Sequence, residues 1–271
     1  MVNAANIRSL YAPIQPTVSR LDEDVAYIEF LPHPNLQPYI YCYWQLKTIK
    51  PLQHAFNYRV VADGCIDIYF EPGNATESFI MGFCKKFTEF PLENNFEYIG
   101  IRFLPTMFPQ LFKTNASELS NRYELLANVV PGTAAYIAKH FHKQQRIATV
   151  QNLLDKYFID VVNNTAMDDD ARLYEAIDTI LKNYGVLNIE TDIDTGISAR
   201  QLRRLFQYYI GDSTKSFCKV VRFQNILRAK PSRQSLRKNK LFFDAGYYDQ
   251  NHFIKEFKNF YGVTPSKAFG R

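Results

Sequence analysis

The chain has 271 residues, 46% hydrophobic and 15% aromatic, which is enough to fill two domain cores and too apolar for a disordered chain. No run of 18 apolar residues occurs, and the opening MVNAANIRSLYAPIQP lacks the apolar centre of a secretory signal, so a membrane partner is not expected and the cytoplasm is. The net charge of +5 is unevenly divided: residues 1–170 hold 14 Lys/Arg against 18 Asp/Glu, residues 171–271 hold 18 against 9, and from 196 onward the counts are 16 and 4. A basic C-terminal part points to a polyanion, although a solvated basic surface has the same composition.

In chain order, residues 25–104 read as strands. AYIEFL, YIYCYWQL, YRVVA, CIDIYFE, SFIMGF and FEYIGIRFL are short runs rich in Tyr, Phe, Val and Ile, separated by the turn signals HPN, ADG, EPGN and ENN. Their spacing suggests a small antiparallel barrel or sandwich. After Pro105 the pattern turns helical: FPQLF, ASELSNRYELLANVV, TAAYIAKHFHKQQ and IATVQNLLDKYFIDVV. Ile137, Phe141, Ile147, Leu153, Leu154 and Phe158 form either a dimer seam or a face packed on the barrel. The polar stretch 163–170 (NNTAMDDD) is the expected linker, dividing the chain into residues 1–165 and 166–271. Beyond it, Asp170 is expected to cap a helix that Gly185 ends, and 213–229 reads as a long helix with an apolar stripe of Phe217, Val220, Val221 and Leu227.

Two units then share one pattern: a glycine turn, a capping Ser or Asp, and a helix with one greasy and one polar face. The first is GISARQLRRLFQ (196–207) and the second GYYDQNHFIKEFK (246–258). In the first, Leu202, Leu205, Phe206 and Tyr209 recur as a buried face, and Arg200, Arg203, Arg204 and Gln207 recur two residues out of phase, about 200° away. In the second, Phe253, Phe257 and Phe260 are the core stripe, and Asn251, Lys255 and Lys258 share the opposite face with Gln250 beside them. Arginine holds guanine bidentately, Asn and Gln do so with adenine, and lysine suits guanine or phosphate. Lys and Arg from 215 to 240 are further candidates for phosphate. The competing reading of each face is a solvated basic helix.

The runs AGYYDQNHFIKEFKNFYGVTPSKAF (245–269) and ISARQLRRLFQYYIG (197–211) closely resemble the C-terminal DNA-binding domain of the AraC/XylS family of bacterial transcription regulators. More weakly, YCYWQL, VVADGCIDIYFEPG and GIRFLPTMFPQLF resemble the sensor domain of a subset of that family. The resemblance implies an α+β chain. Its N-terminal half would be a β-rich, cupin-like barrel with following helices. Its C-terminal half would be an all-α domain of seven helices, two helix-turn-helix units joined by a long helix. It implies double-stranded DNA as the partner, RNA polymerase as a further one, an unknown small-molecule effector, and a homodimer. Two departures stand out. The helix before the first recognition helix is expected to carry a Leu-Ala pair, where this chain has Thr191 and Asp192 within IETDIDTGIS. Phe242 stands where a small residue normally packs.

No chemistry of an enzyme is legible. His33 and His54 stand alone without an HxHxxxE cluster, the four cysteines form no CxxC, and GxSxG, P-loop and GxGxxG motifs are missing, so no metal, cofactor or catalytic residue is expected. The aromatic strands suggest an apolar ligand pocket around Trp44, Tyr58 and Tyr69, with Arg59, Asp63 or Arg102 as polar anchors, against a plainer reading as core aromatics and surface charges. The leading expectation is a sequence-specific DNA-binding regulator modulated by a ligand or by dimerisation. The alternatives are a degenerate regulator that binds only ligand or protein, and a cupin enzyme with a helical appendage.

Overall fold

The computed structural model describes residues 4–16, 24–168, 170–231 and 246–269. A short helix α1 (Ala4–Leu10) precedes the strands, of which the described residues hold eight: β1 (Val25–Phe30), β2 (Ile40–Thr48), β3 (Phe56–Val60), β4 (Ile66–Phe70), β5 (Ser78–Met81), β6 (Thr88–Leu92), β7 (Glu97–Phe103) and β8 (Tyr123–Leu125). They pair in two sheets rather than in one closed barrel. A six-stranded antiparallel sheet has the order β1-β2-β7-β4-β5-β8, and β3 and β6 form a separate two-stranded ribbon.

Side chains alternate across a strand, so the six-stranded sheet has two different faces. Ile66, Ile68 and Phe70 of β4, Ile99, Ile101 and Phe103 of β7, and Ile80 of β5 point into the main core. There they meet the helices α2 (Met107–Phe112), α3 (Leu126–Val129), α4 (Pro131–His140) and α5 (Ile147–Asn163). The intervening residues Trp44, Leu46, Asp67, Tyr69, Tyr98 and Arg102 occupy the other face, under the β3–β6 ribbon. Ile137, Phe141, Leu154 and Phe158 are buried in the core, so packing on the sheet absorbs them.

The C-terminal half is helical: α6 (Ala171–Lys182), α7 (Ala199–Tyr209), α8 (Thr214–Ala229), α9 (Gln250–Tyr261) and α10 (Pro265–Phe269). Caps sit where local chemistry favours them. The Asp170 carboxylate accepts from Arg172 N, Ser198 and Gln201 form a reciprocal capping box, and Asp249 accepts from His252 N. Gly185, at φ +71°, takes the left-handed conformation beyond α6. Phe217, Val220, Val221 and Leu227 of α8 are all buried.

One expected helix does not form. Residues 188–198, which precede α7, are turns and bends. Asp192 Oδ2 accepts from Asn188 N, Asn188 Oδ1 from Glu190 N, and Asp194 Oδ1 from Gly196 N. Short polar side chains here satisfy backbone donors locally and compete with a helix, and Ile193 and Thr195 add β-branching. The expected seven-helix domain is therefore altered in its first unit. Phe242, and with it residues 232–245, lies outside the described residues.

The expected linker is held down. Gln110, fully buried, donates to Asp168 O at 2.8 Å and accepts from Asp168 N at 2.9 Å. Tyr209 of α7 donates to the Asp168 carboxylate.

Candidate recognition faces and an aromatic pocket

On α7, Leu202, Phe206 and Tyr209 are buried, whereas Arg200, Arg203 and Arg204 are exposed and make no ion pair with a described residue; Gln207 is half-buried. Three guanidinium groups on one turn and a half, none within salt-bridge distance of a described carboxylate, hold a field that favours an external anion. On α9, Phe253, Phe257 and Phe260 are buried, and Gln250, Asn251, Lys255 and Lys258 are all exposed. Two helices thus present polar faces of different chemistry, arginine-rich and amide-lysine.

Not every base of the C-terminal half is free for phosphate. Lys219 pairs with the buried Glu256 at 2.8 Å. Arg222 donates to Gly185 O at 3.1 Å and to Gly246 O at 3.2 Å, and its guanidinium lies 5.1 Å from the centroid of the Tyr247 ring. One side chain of α8 therefore ties the turn after α6 to the turn before α9. The fit at Gly246 is close: a Cβ there would come within 2.6 Å of Val186.

In the N-terminal half, a cavity of about 280 Å³ opens between the six-stranded sheet and the β3–β6 ribbon. Trp44, Tyr58, Tyr69, Arg102 and Asp63 all line it. Arg59 does not. It neighbours Tyr58 on β3, and strand alternation turns it to the opposite face, where it pairs with Glu89 at 2.5 Å and lies 5.3 Å from the Phe87 ring centroid. As a ligand anchor Arg59 is corrected to a residue of the seam between the two halves, packed against Gly262 at the end of α9.

Gly100 lies opposite Trp44 in the β2–β7 register. A Cβ at Gly100 would fall 1.9 Å from the Trp44 ring, so the indole lies directly across the bare backbone. Laid flat, it donates Nε1–H to Asp67 Oδ2 at 3.0 Å. Asp67, opposite Arg102 in the β4–β7 register, also accepts from Arg102 Nε at 3.2 Å and Nη2 at 3.0 Å. Burial pushes the Asp67 carboxyl up to about 6 against the pull of Arg102. Asp63 accepts from Gln15 Nε2 at 2.7 Å and from Cys65 N at 3.0 Å.

The segment 61–65 is a wall shared by the two halves. Val61, Asp63 and Cys65 face the cavity. Between them, Ala62 O accepts from Gln224 of α8 at 2.8 Å, and Ala62 N donates to Phe260 O of α9 at 3.4 Å. Gly64 lies against Phe217 and Val220 of α8. Gln224 is 2% exposed within an otherwise apolar stripe, and its Oε1 accepts from Ile14 N at 2.7 Å. Further seam contacts are Asn259 Nδ2 to Lys85 O at 2.8 Å, Phe87 N to Asn259 O at 3.1 Å, and the Lys85–Asp212 pair at 2.5 Å. Neither Gln224 nor Asp67 was singled out by the sequence. A polar residue inside the stripe of α8, and the alternation that puts Asp67 beside Tyr69, were the available signals.

Comparison with known proteins adds the following. Residues 194–271 match the model of a helix-turn-helix domain, and residues 28–124 match a domain of unknown function, DUF6597. A curated relative, an uncharacterized HTH-type transcriptional regulator of Haemophilus influenzae, is 29% identical over 181 residues. The match covers 63% of this chain and 55% of the relative, so the chain spans about half the length of that protein. Among solved structures, an apo form of ToxT from Vibrio cholerae aligns over 92% of this chain and 97% of its own, with 12% identity and a TM-score of 0.44. ToxT bound to an unsaturated fatty acid aligns over 80% and 92%, with 12% identity and a TM-score of 0.42.

Proposed function

We propose that this chain, whose residues 194–271 match a helix-turn-helix domain, is an AraC-type, sequence-specific DNA-binding transcription regulator without enzymatic activity. The observation that carries this reading is the exposed arginine face of α7, which makes no ion pair with a described residue, together with the exposed amide-lysine face of α9. Arg200, Arg203, Arg204 and Gln207 read bases from α7, and Gln250, Asn251, Lys255 and Lys258 read bases or hold phosphates from α9. The N-terminal half binds a small effector in the aromatic cavity. Occupancy acts on DNA binding through the wall at 61–65, which touches α8 and the end of α9. No helix among the described residues is long and apolar enough to cross a membrane.

The test is fluorescence anisotropy of the full chain with duplex from its own upstream region and with scrambled duplex, across a salt series. Specific binding persists at salt that releases the scrambled duplex, with a log–log slope near −0.9 per neutralised phosphate. Equal, weak binding to both, unchanged by Arg203→Ala, counts against the reading. A second reading, a module that binds ligand or protein only, is favoured by one observation: the segment 188–198 forms turns where a supporting helix is expected. It predicts no binding to any duplex at low salt.

A further inference from the structure

The inner end of the cavity is unbalanced in charge. The Arg102 guanidinium faces three carboxylates: Asp67 at 3.0 Å, Asp63 at 3.4 Å and Glu29 at 3.5 Å. Asp63 and Asp67 line the cavity with Arg102, and Glu29 meets Arg102 from outside the lining, so the lining itself carries a formal excess of one negative charge. Among the lining residues Arg102 is the one Lys or Arg. Exposure decides which sign an occupant meets. The Arg102 side chain is 2% exposed, whereas Asp63 is 10% and Asp67 14% exposed. The guanidinium is closed off behind the carboxylates, and the carboxylates have the open surface.

The walls carry the same sign. Trp44, Tyr58, Tyr69, Phe90 and Tyr98 line the cavity, and the faces of aromatic rings are electron-rich. A cation over such faces is attracted by the ring quadrupole, more strongly where water is excluded. A carboxylate in the same place would meet Asp63 and Asp67 in a medium that screens poorly. A neutral ring would fill the space and leave the charge excess unanswered.

We propose that this cavity takes a small organic cation, a protonated or quaternary amine on a flat apolar body. The amine lies toward Asp63 and Asp67, and the apolar body lies against Trp44 and the tyrosines. The proposal rests on the reading of the N-terminal half as an effector-binding domain.

Trp44 is the single tryptophan of the chain, and its N–H is bonded to Asp67, so its emission reports on the cavity. Three probes of one size separate the possibilities: phenethylammonium, phenylacetate and 2-phenylethanol, each titrated into the full chain. The expected result is a saturable change of Trp44 emission with phenethylammonium, at a concentration at least about tenfold below that needed for phenylacetate. Asp67→Asn and, separately, Asp63→Asn should each erase most of that preference while the far-ultraviolet circular dichroism stays unchanged. The two variants are independent, and the preference of the wild-type chain decides the matter even where one of them fails to fold. A preference for phenylacetate, or equal affinity for all three, overturns the cationic class and leaves an effector pocket standing. A Trp44 emission that none of the three moves overturns both the class and the pocket.

Discussion

The two recognition helices differ in what holds them. α7 is fixed at its start by its own Ser198–Gln201 box and follows a segment of turns. Its arginines point outward, while its other side packs on α2 and the turn Ala116–Leu119 of the N-terminal half, with Gly211 and Asp212 just beyond it bonded to Ser120 and Lys85. α9 is fixed at its end by the other half of the protein: Asn259, Phe260 and Gly262 all contact residues between Arg59 and Phe87. Strong electrostatic contacts and the point of control therefore sit on different helices. On the proposed reading α7 grips DNA, and α9, whose end touches the 61–65 wall, is the helix an occupied cavity reaches most directly.

The most severe way to break this comparison is to remove the core under α9. Phe257 is fully buried among Phe223, Phe253 and Tyr261. Phe257→Ala is expected to lower unfolding free energy by about 3–5 kcal/mol in urea denaturation, and the response to an effector should vanish with it. A loss below about 1 kcal/mol would show that α9 is not packed as described.

Arg203→Ala should weaken specific DNA binding by about 1–3 kcal/mol at fixed salt. Lys255→Ala should cost less and act more evenly on specific and scrambled duplex. The reverse order, measured in the same anisotropy series, would transfer the grip to α9.

Gln224→Leu leaves Ile14 N and Ala62 O without their partner in a buried seam, at an expected cost of about 1–3 kcal/mol in thermal or chemical unfolding. Its sharper signature is functional: DNA affinity close to wild type with a reduced effect of the effector. Retained coupling would move the connection to the Asn259–Lys85 contacts.

The smallest effect is a pH dependence at Asp67, which is faced by Arg102 from β7, Asp63 from the 61–65 wall and the Trp44 N–H from β2, with Glu29 of β1 beyond Arg102. Its carboxyl titrates near 6 in the fold, above its usual 3.8, so the folded state favours the neutral form. This group's contribution to stability therefore falls as pH rises from about 4 to about 6 and is level above that. The difference in unfolding free energy between the chain and Asp67→Asn, followed from pH 4 to 8, should show that slope. A cationic probe has the opposite preference and should bind more tightly as pH rises through 6.

Much of this was legible in the sequence, and the misses have physical reasons. The 3.6-residue period separated Leu202 and Phe206 from the arginines of α7 without ambiguity, because charge and apolarity there never mix. The alternation of β2, β4 and β7 was also readable, and it places Trp44, Tyr69 and Arg102 on one face. The same alternation excludes Arg59, which adjacency to Tyr58 had drawn in. β6 escaped notice because Pro91 interrupts it, and a ladder tolerates proline only at special places. β8 was hidden among helix formers in ASELSNRYELLANVV, and its pairing with β5 overrides their preference. The unformed helix before α7 was signalled at Thr191 and Asp192. What no local pattern announces is the seam: the bond from Gln224 to Ala62 joins residues 162 positions apart.

Arg222 has a consequence of a different kind. By holding the carbonyls of Gly185 and Gly246 together, it fixes the start of α9 against α8 and the turn after α6, and on the proposed reading this makes the domain a ruler as well as a reader. A ruler is intolerant of spacing. Adding one base pair between the two halves of its site rotates one half by about a tenth of a helical turn relative to the other. That insertion should cost the wild-type chain more than exchanging a single contacted base, and Arg222→Ala should accept the longer site at the expense of affinity for the native one.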